Sequence, residues 1–307
     1  MKRETWIAAV ALLPAFAWAQ AVSIGGGTQP RQPTGNPTPA HRLKQRQVSP
    51  RPAADGSLNA LVLKAVAEMP QNGGYSVGAK TARKLANQAV VWNEKTGRLE
   101  LDLHQAQPSF CSAACYVALL HTLELWERSG KGKLPAEAWK KLDMVLGTPD
   151  GKSIWGRANA NGPGFAKLFH DLGAGVNFSA LELAQPGDFL KFFWTDEIGA
   201  KERGHMVVFL GTEQKDGETC VKYWSANKPD GYSERSIPLS KMHHLIFTRL
   251  TAPEKLAGAT GLPETDAWLR DMQKVSVPYG EVVQKCGIIT QGAAAPQSPR
   301  RPSQAQQ

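Results

Sequence analysis

The spacing of apolar residues changes from helical to stranded part-way along the chain, and this change constrains the fold more than any other feature. Before Gly187, apolar residues recur at three- and four-residue intervals, as they do along one face of a helix. Beyond it, short apolar runs alternate with polar, glycine-containing turns, as strands do. Four such runs are evident, at 188–194, 205–210, 219–224 and 245–250. A helical half followed by a stranded half predicts an α+β fold, with helices packed against one antiparallel sheet.

The helical half contains one run that is much longer and more apolar than the others, and it begins at Cys111. We expect this run to form the central helix of the fold. The helices predicted in this half cover residues 57–70, 111–126, 135–146 and 164–172, with Ser57 as the cap of the first. Residues 89–92 and 99–103, joined by a polar turn, predict a pair of strands between the first two helices.

The amino-terminal residues have the pattern of a secretory signal. Two basic residues precede an apolar run from Trp6 to Trp18, and the small residues Ala17 and Ala19 stand where a signal peptidase cleaves. The run is shorter than the roughly 20 residues that a membrane-spanning helix needs. We therefore expect a signal peptide at 1–19, cleaved after Ala19, and a periplasmic or secreted protein with no transmembrane segment after cleavage. An uncleaved membrane anchor is the alternative.

The segments 20–56 and 291–307 are rich in Pro, Gly, Ser, Gln or Ala and show no aliphatic pattern. They are predicted to form a disordered leader and tail on either side of one domain at 57–290. The chain has 36 Lys and Arg against 27 Asp and Glu, and most of the excess lies in these ends. The basic leader suits weak contact with an anionic polymer, or it serves solubility alone. Export and the small net charge of the domain argue against nucleic acid as a partner.

The four cysteines are the first candidates for chemistry. An exported chain normally pairs its cysteines, and four of them allow three pairings, of which Cys220 with Cys286 is one hypothesis. Cys111 and Cys115 lie four residues apart on one helix, which is poor geometry for a bridge, so at least one should be a thiol. Cys111 falls in the first turn, where the helix dipole favours the thiolate. Cys115 lies one turn deeper and is expected to be inert core packing.

A nucleophilic thiol needs a base, and His205 is the best placed of the seven histidines. It follows Gly204 at the start of an apolar strand, so a rigid element would hold the ring while the small neighbour leaves access. Asn227, predicted just beyond the next strand, is a candidate to orient the imidazole, although an ordinary turn residue would also suit that position. The backbone N–H of Cys111 and, more weakly, the side chain of Gln105 are candidates to stabilise an oxyanion.

Three segments, taken in order, resemble the NlpC-like cell-wall peptidases of the papain-like superfamily. They are Phe110-Cys111-Ser112-Ala113 at a helix start, Pro186-Gly187-Asp188 before a strand, and the strand His205-Met206-Val207-Val208-Phe209-Leu210-Gly211. The resemblance implies a papain-like (NlpC-type) fold, in which the central helix carries the nucleophile and packs on an antiparallel sheet. It also implies thiolate attack on an amide of a peptidoglycan stem peptide. Cys111 would be the nucleophile, His205 the base and then the general acid, and Asn227 the orienting residue.

The leading expectation is therefore an exported cysteine amidohydrolase or endopeptidase that acts on peptidoglycan or a related peptide through a thioester. The candidate residues for its substrate cleft are Trp155, Asn161, Trp194 and Trp224. Two alternatives stay open: a cysteine acyltransferase, and a non-catalytic wall-binding protein that uses the tryptophans as a platform. The sequence lacks the motifs of zinc peptidases, nucleotide-binding proteins and serine hydrolases, so neither a cofactor nor a metal site is expected.

Overall fold

The computed structural model describes residues 56–160 and 162–290. The predicted signal peptide, the predicted tail, Asn161 and all of the predicted leader except Gly56 lie outside the described residues. The α-helices of the described part are α1 Leu58–Ala67, α2 Ala79–Lys84, α3 Cys111–Arg128, α4 Ala136–Lys141, α5 Ser153–Asn159, α6 Gly164–Leu172, α7 Ala267–Asp271 and α8 Tyr279–Lys285. None of these helices is both long enough and apolar enough to cross a membrane.

The strands of the described part form one large sheet and a separate hairpin. They are β1 Asn72–Gly73, β2 Val90–Asn93, β3 Arg98–Leu101, β4 Gly175–Phe178, β5 Phe189–Phe193, β6 His205–Lys215, β7 Glu218–Asn227, β8 Gly231–Pro238, β9 His244–Leu250 and β10 Ile288–Ile289. The large sheet has the order β1-β8-β7-β6-β5-β9-β4-β10, and β2 pairs with β3. Every pair in the large sheet is antiparallel except β4 with β10. The predicted α+β class, with helices and a mostly antiparallel sheet, is confirmed.

Several predicted boundaries differ from those observed. The first helix ends at Ala67 instead of Pro70, and only the part of residues 135–146 that belongs to α4 is helical. Asn227 is the last residue of β7 and not a residue beyond it. The sequence pattern also missed β8, because the middle of that strand is exposed and polar and so shows no apolar alternation.

The central helix α3 is buried on nearly all sides, as its apolar sequence predicted. All residues from Ala113 to Leu123 are buried, and α3 packs against α1, α5, β6 and β7. A helix that is apolar all round can only be stable inside a core. The amino terminus of α3 is therefore held at a defined place against the middle of the sheet.

Asp188, which follows the Pro-Gly turn before β5, is a structural junction. Its fully buried carboxylate accepts hydrogen bonds from Asn59 of α1 at 2.9 Å and from Arg249 of β9 at 2.8 and 2.7 Å. Gly187 has a φ of 92°, and a Cβ there would lie 2.4 Å from the carbonyl oxygen of Asn59. The turn must therefore be glycine, and the Asp188 carboxylate links α1, β5 and β9.

The hypothesis of a Cys220–Cys286 disulfide is wrong, because all four cysteines are free thiols. Cys220 lies opposite Glu213 near the start of β7. Cys286 follows α8 and belongs to a hydrophobic cluster that includes Leu269. The two thiols thus lie in different surroundings, and burial raises the pKa of Cys286 to about 12.

Candidate active site

Cys111 is the first residue of α3, as predicted. The preceding Phe110 has an extended conformation and provides no side-chain cap, so the first N–H groups of the helix have no side-chain acceptor there. Ser112 donates a hydrogen bond of 2.7 Å to the side-chain oxygen of Asn159. This contact joins the start of α3 to α5 and fixes the backbone beside the Cys111 thiol.

His205 begins β6, and its ring is positioned by close packing. The ring makes edge-on contacts with Phe192, at 5.5 Å between centroids, and with Tyr223, at 5.7 Å. Gly204 has a φ of 65°, and a Cβ at this position would lie 2.7 Å from the Phe192 carbonyl oxygen. The chain therefore needs glycine directly before the histidine, and the ring is held by two aromatic neighbours.

Asn227 determines which nitrogen of the His205 ring is protonated. Its Oδ1 lies 3.1 Å from Nε2 of His205. Its Nδ2 donates to the carbonyl oxygens of Ser225 and Ser233, at 3.1 and 2.9 Å, and these acceptors fix the amide orientation. Because Oδ1 can only accept, Nε2 carries the hydrogen, and Nδ1 is left to interact with a thiol.

The Cys111 thiol contacts His205 and is more acidic than an ordinary cysteine thiol. Burial alone would raise its pKa, but the His205 imidazole hydrogen-bonds the sulfur and stabilises the thiolate through its charge. The ammonium of Lys191 and the backbone N–H of Met206 act in the same direction, and together they bring the pKa of Cys111 to about 6. Cys115, one turn further along, is fully buried, and burial raises its pKa well above the ordinary value.

Lys191 is a buried cation beside the thiol, and the sequence analysis did not select it. It lies on β5 opposite Met206 of β6, on the same face of the strand as Phe189, which packs in the core around α3. Lys191 is only 8% exposed. Burial lowers its pKa, whereas the nearby Cys111 thiolate raises it. The sequence feature that could have identified it is a lysine inside a strand whose other residues are Phe and Leu.

Tyr75 is a second residue that the sequence analysis missed. Its hydroxyl hydrogen-bonds the Cys111 sulfur. The pKa of Tyr75 is raised to about 12, mainly by burial and to a smaller extent by the charge of Cys111 and by this hydrogen bond. An isolated bridge to Ser109 and a hydrogen bond of 3.1 Å from the Tyr75 N–H to the Pro229 carbonyl oxygen hold its backbone. No periodicity marks this tyrosine, which lies between short polar stretches.

Two of the four predicted cleft residues are in the core. Trp155 is 1% exposed and packs 5.2 Å from the ring of Tyr116, so it cannot contact a substrate. Trp224 is 5% exposed and stacks on Tyr232. The prediction that they line a substrate cleft is therefore wrong, and the sequence could not show this because the aromatic residues they pack against are distant along the chain.

The other two cleft candidates are Trp194 and Asn161. Trp194 is 47% exposed, and its ring lies 5.2 Å from Phe192, which also contacts His205. Asn161 lies outside the described residues.

Gln105, the predicted second oxyanion donor, is exposed in a short 3-10 helix at 103–105. Its backbone N–H is bonded to the carboxylate of Asp102. The side chains that hydrogen-bond the Cys111 sulfur are those of His205 and Tyr75.

No protein-family model matches this chain, and no curated protein or solved structure shows significant similarity to it. A thiolate, an imidazole and a carboxamide follow one another; a tyrosine hydroxyl hydrogen-bonds the sulfur, and the charge of a buried ammonium stabilises the thiolate. This arrangement suits nucleophilic attack by sulfur, with proton transfer through the imidazole.

Proposed function

We propose that this protein is an exported cysteine amidohydrolase with a papain-like (NlpC-type) fold, which cleaves an amide bond in peptidoglycan stem peptides or a related peptide. The observation that carries the proposal is the continuous chain of contacts from Cys111 through His205 to Asn227. The placement of Cys111 at the start of a buried helix that packs on β6 and β7 supports the papain-like assignment. The signal-peptide pattern supports export.

The proposed reaction begins with the Cys111 thiolate and a protonated His205. The sulfur attacks the amide carbon and forms a C–S bond, while the carbonyl oxygen becomes an oxyanion. As the C–N bond breaks, His205 gives its proton to the departing nitrogen, which leaves as an amine and yields a thioester. Neutral His205 then takes a proton from water. The resulting hydroxide attacks the thioester, and the C–S bond breaks to release the acid and restore the thiolate.

Two groups are suited to stabilise the oxyanion. The backbone N–H of Cys111 lies at the uncapped amino terminus of α3, where the helix dipole favours negative charge. The raised pKa of Tyr75 keeps its hydroxyl protonated, so it can donate a hydrogen bond beside the sulfur.

The stem peptides of the proposed substrate belong to a cell-wall polymer. Such a polymer would also suit contact with the basic leader.

The burial of Trp155 and Trp224 counts against a non-catalytic wall-binding protein, since it removes two of the three aromatic side chains that such a platform would use. An acyltransferase would use the same nucleophile and base as a hydrolase. The two activities differ in their product, which is a new amide for a transferase and a free acid for a hydrolase.

The test is mass-spectrometric analysis of purified muropeptides after incubation with the wild type and with Cys111→Ala. We expect the wild type to release a free acid and a free amine, and the variant to release neither while its melting temperature stays close to that of the wild type. Cys220→Ala is the matched control, because it removes a free thiol near the start of β7, at the opposite end of that strand from Asn227, and it should retain activity. Turnover by Cys111→Ala would refute the proposal, and an amide product formed with an added amine would identify a transferase.

A further inference from the structure

A second cluster of chemically competent side chains lies at the joined ends of β5 and β9. Asp196 follows β5 by three residues, His243 directly precedes β9, and His244 is its first residue. His244 pairs with Phe193 in the sheet, and the backbone N–H of His243 donates to the Phe193 carbonyl oxygen at 2.8 Å. The sheet register therefore brings two histidines against the segment that carries the aspartate.

The three side chains turn their donor atoms toward one another. Nε2 of His244 is hydrogen-bonded to Oδ1 of Asp196, and Nε2 of His243 lies 3.7 Å from Oδ2 of the same carboxylate. The ligand atoms of all three residues lie within 4.8 Å of one another. Within residues 56–160 and 162–290, this is the one place where three His, Cys, Asp or Glu side chains converge in this way.

The surroundings of the cluster hold one imidazole in place. The His244 ring stacks on Tyr279, with 3.9 Å between centroids and 5° between planes. Tyr279 in turn donates a hydrogen bond of 2.9 Å to the Leu245 carbonyl oxygen. The two imidazoles lie edge to face, 4.5 Å apart. Stacking of this kind restricts a ligand ring without occupying its nitrogens.

A surface ion pair explains this arrangement poorly. Only His244 hydrogen-bonds the carboxylate, because His243 Nε2, at 3.7 Å from Oδ2, is too far away for a hydrogen bond, and an exposed pair contributes only about 0–1 kcal/mol. Two imidazole nitrogens and one carboxylate oxygen are instead the donors that zinc and similar ions prefer, whereas magnesium and calcium prefer oxygen alone. Ligands of a tetrahedral zinc ion lie about 3.4 Å apart, because each bond is about 2.0–2.1 Å long. Small rotations of these side chains would reach that spacing.

We propose that Asp196, His243 and His244 form a binding site for a divalent transition-metal ion, with zinc as the first probe. The exposure of Asp196 and His243 leaves at least one coordination position open to water or to another donor. A bound ion would join the segment after β5, which leads into His205, to the start of β9. The proposal concerns residues outside the proposed active site and does not depend on its function.

The experiment is isothermal titration of the full chain with zinc chloride in a Cys111→Ala background. That background matters because a thiolate next to His205 would itself bind zinc. We expect one equivalent of zinc to bind, and each of Asp196→Asn, His243→Ala and His244→Ala to weaken binding at least tenfold. His104→Ala is the matched control, because His104 is also exposed but lies in the 3-10 helix at 103–105. His41→Ala controls for the predicted leader.

Cobalt substitution provides a second readout. The visible spectrum of the cobalt-loaded Cys111→Ala protein should show nitrogen and oxygen ligation, without thiolate charge-transfer bands, and it should be lost in His244→Ala. Melting curves verify that each variant is folded. Absence of zinc binding in the Cys111→Ala protein would overturn the proposal. Affinity that survives Asp196→Asn and His244→Ala would also overturn it, and an unchanged affinity in His243→Ala would exclude the three-ligand site.

Discussion

Nε2 of His205 lies 3.1 Å from Oδ1 of Asn227, and the Asn227 amide is fixed by the acceptors around its nitrogen. The carboxamide therefore acts on the thiol through the ring: it selects the tautomer whose Nδ1 is free for Cys111. This relationship spans two neighbouring strands, because His205 opens β6 and Asn227 closes β7.

Replacing Asn227 with Ala should lower kcat by roughly 10²-fold, since the imidazole loses the group that orients it. Turnover measured with the muropeptide substrate checks this. Ser233→Ala is the control, because it keeps the Ser233 carbonyl that accepts from the Asn227 nitrogen. It removes only the hydroxyl, whose contacts are long, 3.3 Å to that nitrogen and 3.2 Å to the Gly231 carbonyl oxygen, so activity should stay near that of the wild type. Equal activity in Asn227→Ala and the wild type would show that the amide has no positioning role.

Lys191 should help to hold Cys111 as a thiolate. Its positive charge lowers the pKa of Cys111, so Lys191→Met should raise that pKa and weaken the thiolate at neutral pH. The rate of iodoacetamide alkylation against pH reports the ionisation, with a midpoint near pH 6 expected in the wild type. In Lys191→Met the midpoint should move to higher pH, whereas Lys215→Met, at the exposed end of β6, should leave it in place. An unmoved midpoint in Lys191→Met contradicts the electrostatic role.

Arg249 should stabilise the fold by compensating the buried carboxylate of Asp188. Arg249→Met removes the guanidinium that is paired with this fully buried carboxylate and leaves it with neutral hydrogen-bond donors. We expect a loss of about 3–5 kcal/mol in the free energy of unfolding, measured in urea. Arg235→Met removes an exposed ion pair with Asp230 and should change stability by about 0.5 kcal/mol or less. Similar values for the two variants would mean that the junction at Asp188 contributes little.

His121 should make stability depend on pH. Burial lowers its pKa, but hydrogen bonds to Glu124 at 3.0 Å and Glu68 at 2.6 Å raise it above the ordinary value overall. Since the folded pKa is the higher one, the stabilisation is fully present below the unfolded pKa of about 6.5 and is lost as pH rises through the folded pKa. The stability difference between the wild type and His121→Gln should thus be larger at pH 5 than at pH 8. Glu68→Gln should reduce this pH dependence, and a difference that grows with pH would contradict the assignment.

The placement of the site residues shows what local sequence can and cannot predict. Cys111 and His205 were predictable because each stands at the end of an element with a strong apolar pattern, where a side chain is both anchored and accessible. Asn227 was predicted just beyond a strand but is the last residue of that strand, since β8 pairs with β7 as far as Asn227. Trp155 was predicted to line a substrate cleft, because nothing in the sequence near it indicates that it packs against the ring of Tyr116.

Lys191 and Tyr75 were missed for a related reason. A lysine in a strand is usually at the surface, and only the pairing of β5 with β6 and the packing of α3 above it place Lys191 beside the thiol. Tyr75 reaches Cys111 through a bridge between two irregular segments, which no periodicity describes.

The sequence by itself determined the α+β class, the central helix that begins at Cys111 and the strand that begins at His205. These three features depend on the periodic spacing of apolar side chains, which is a property of the amino-acid sequence itself. Only the tertiary structure decided which cysteines stay unpaired, which tryptophans are buried, and which charged and hydroxyl groups meet the Cys111 sulfur. Those outcomes depend on strand register and helix packing, which bring together residues that are far apart along the chain.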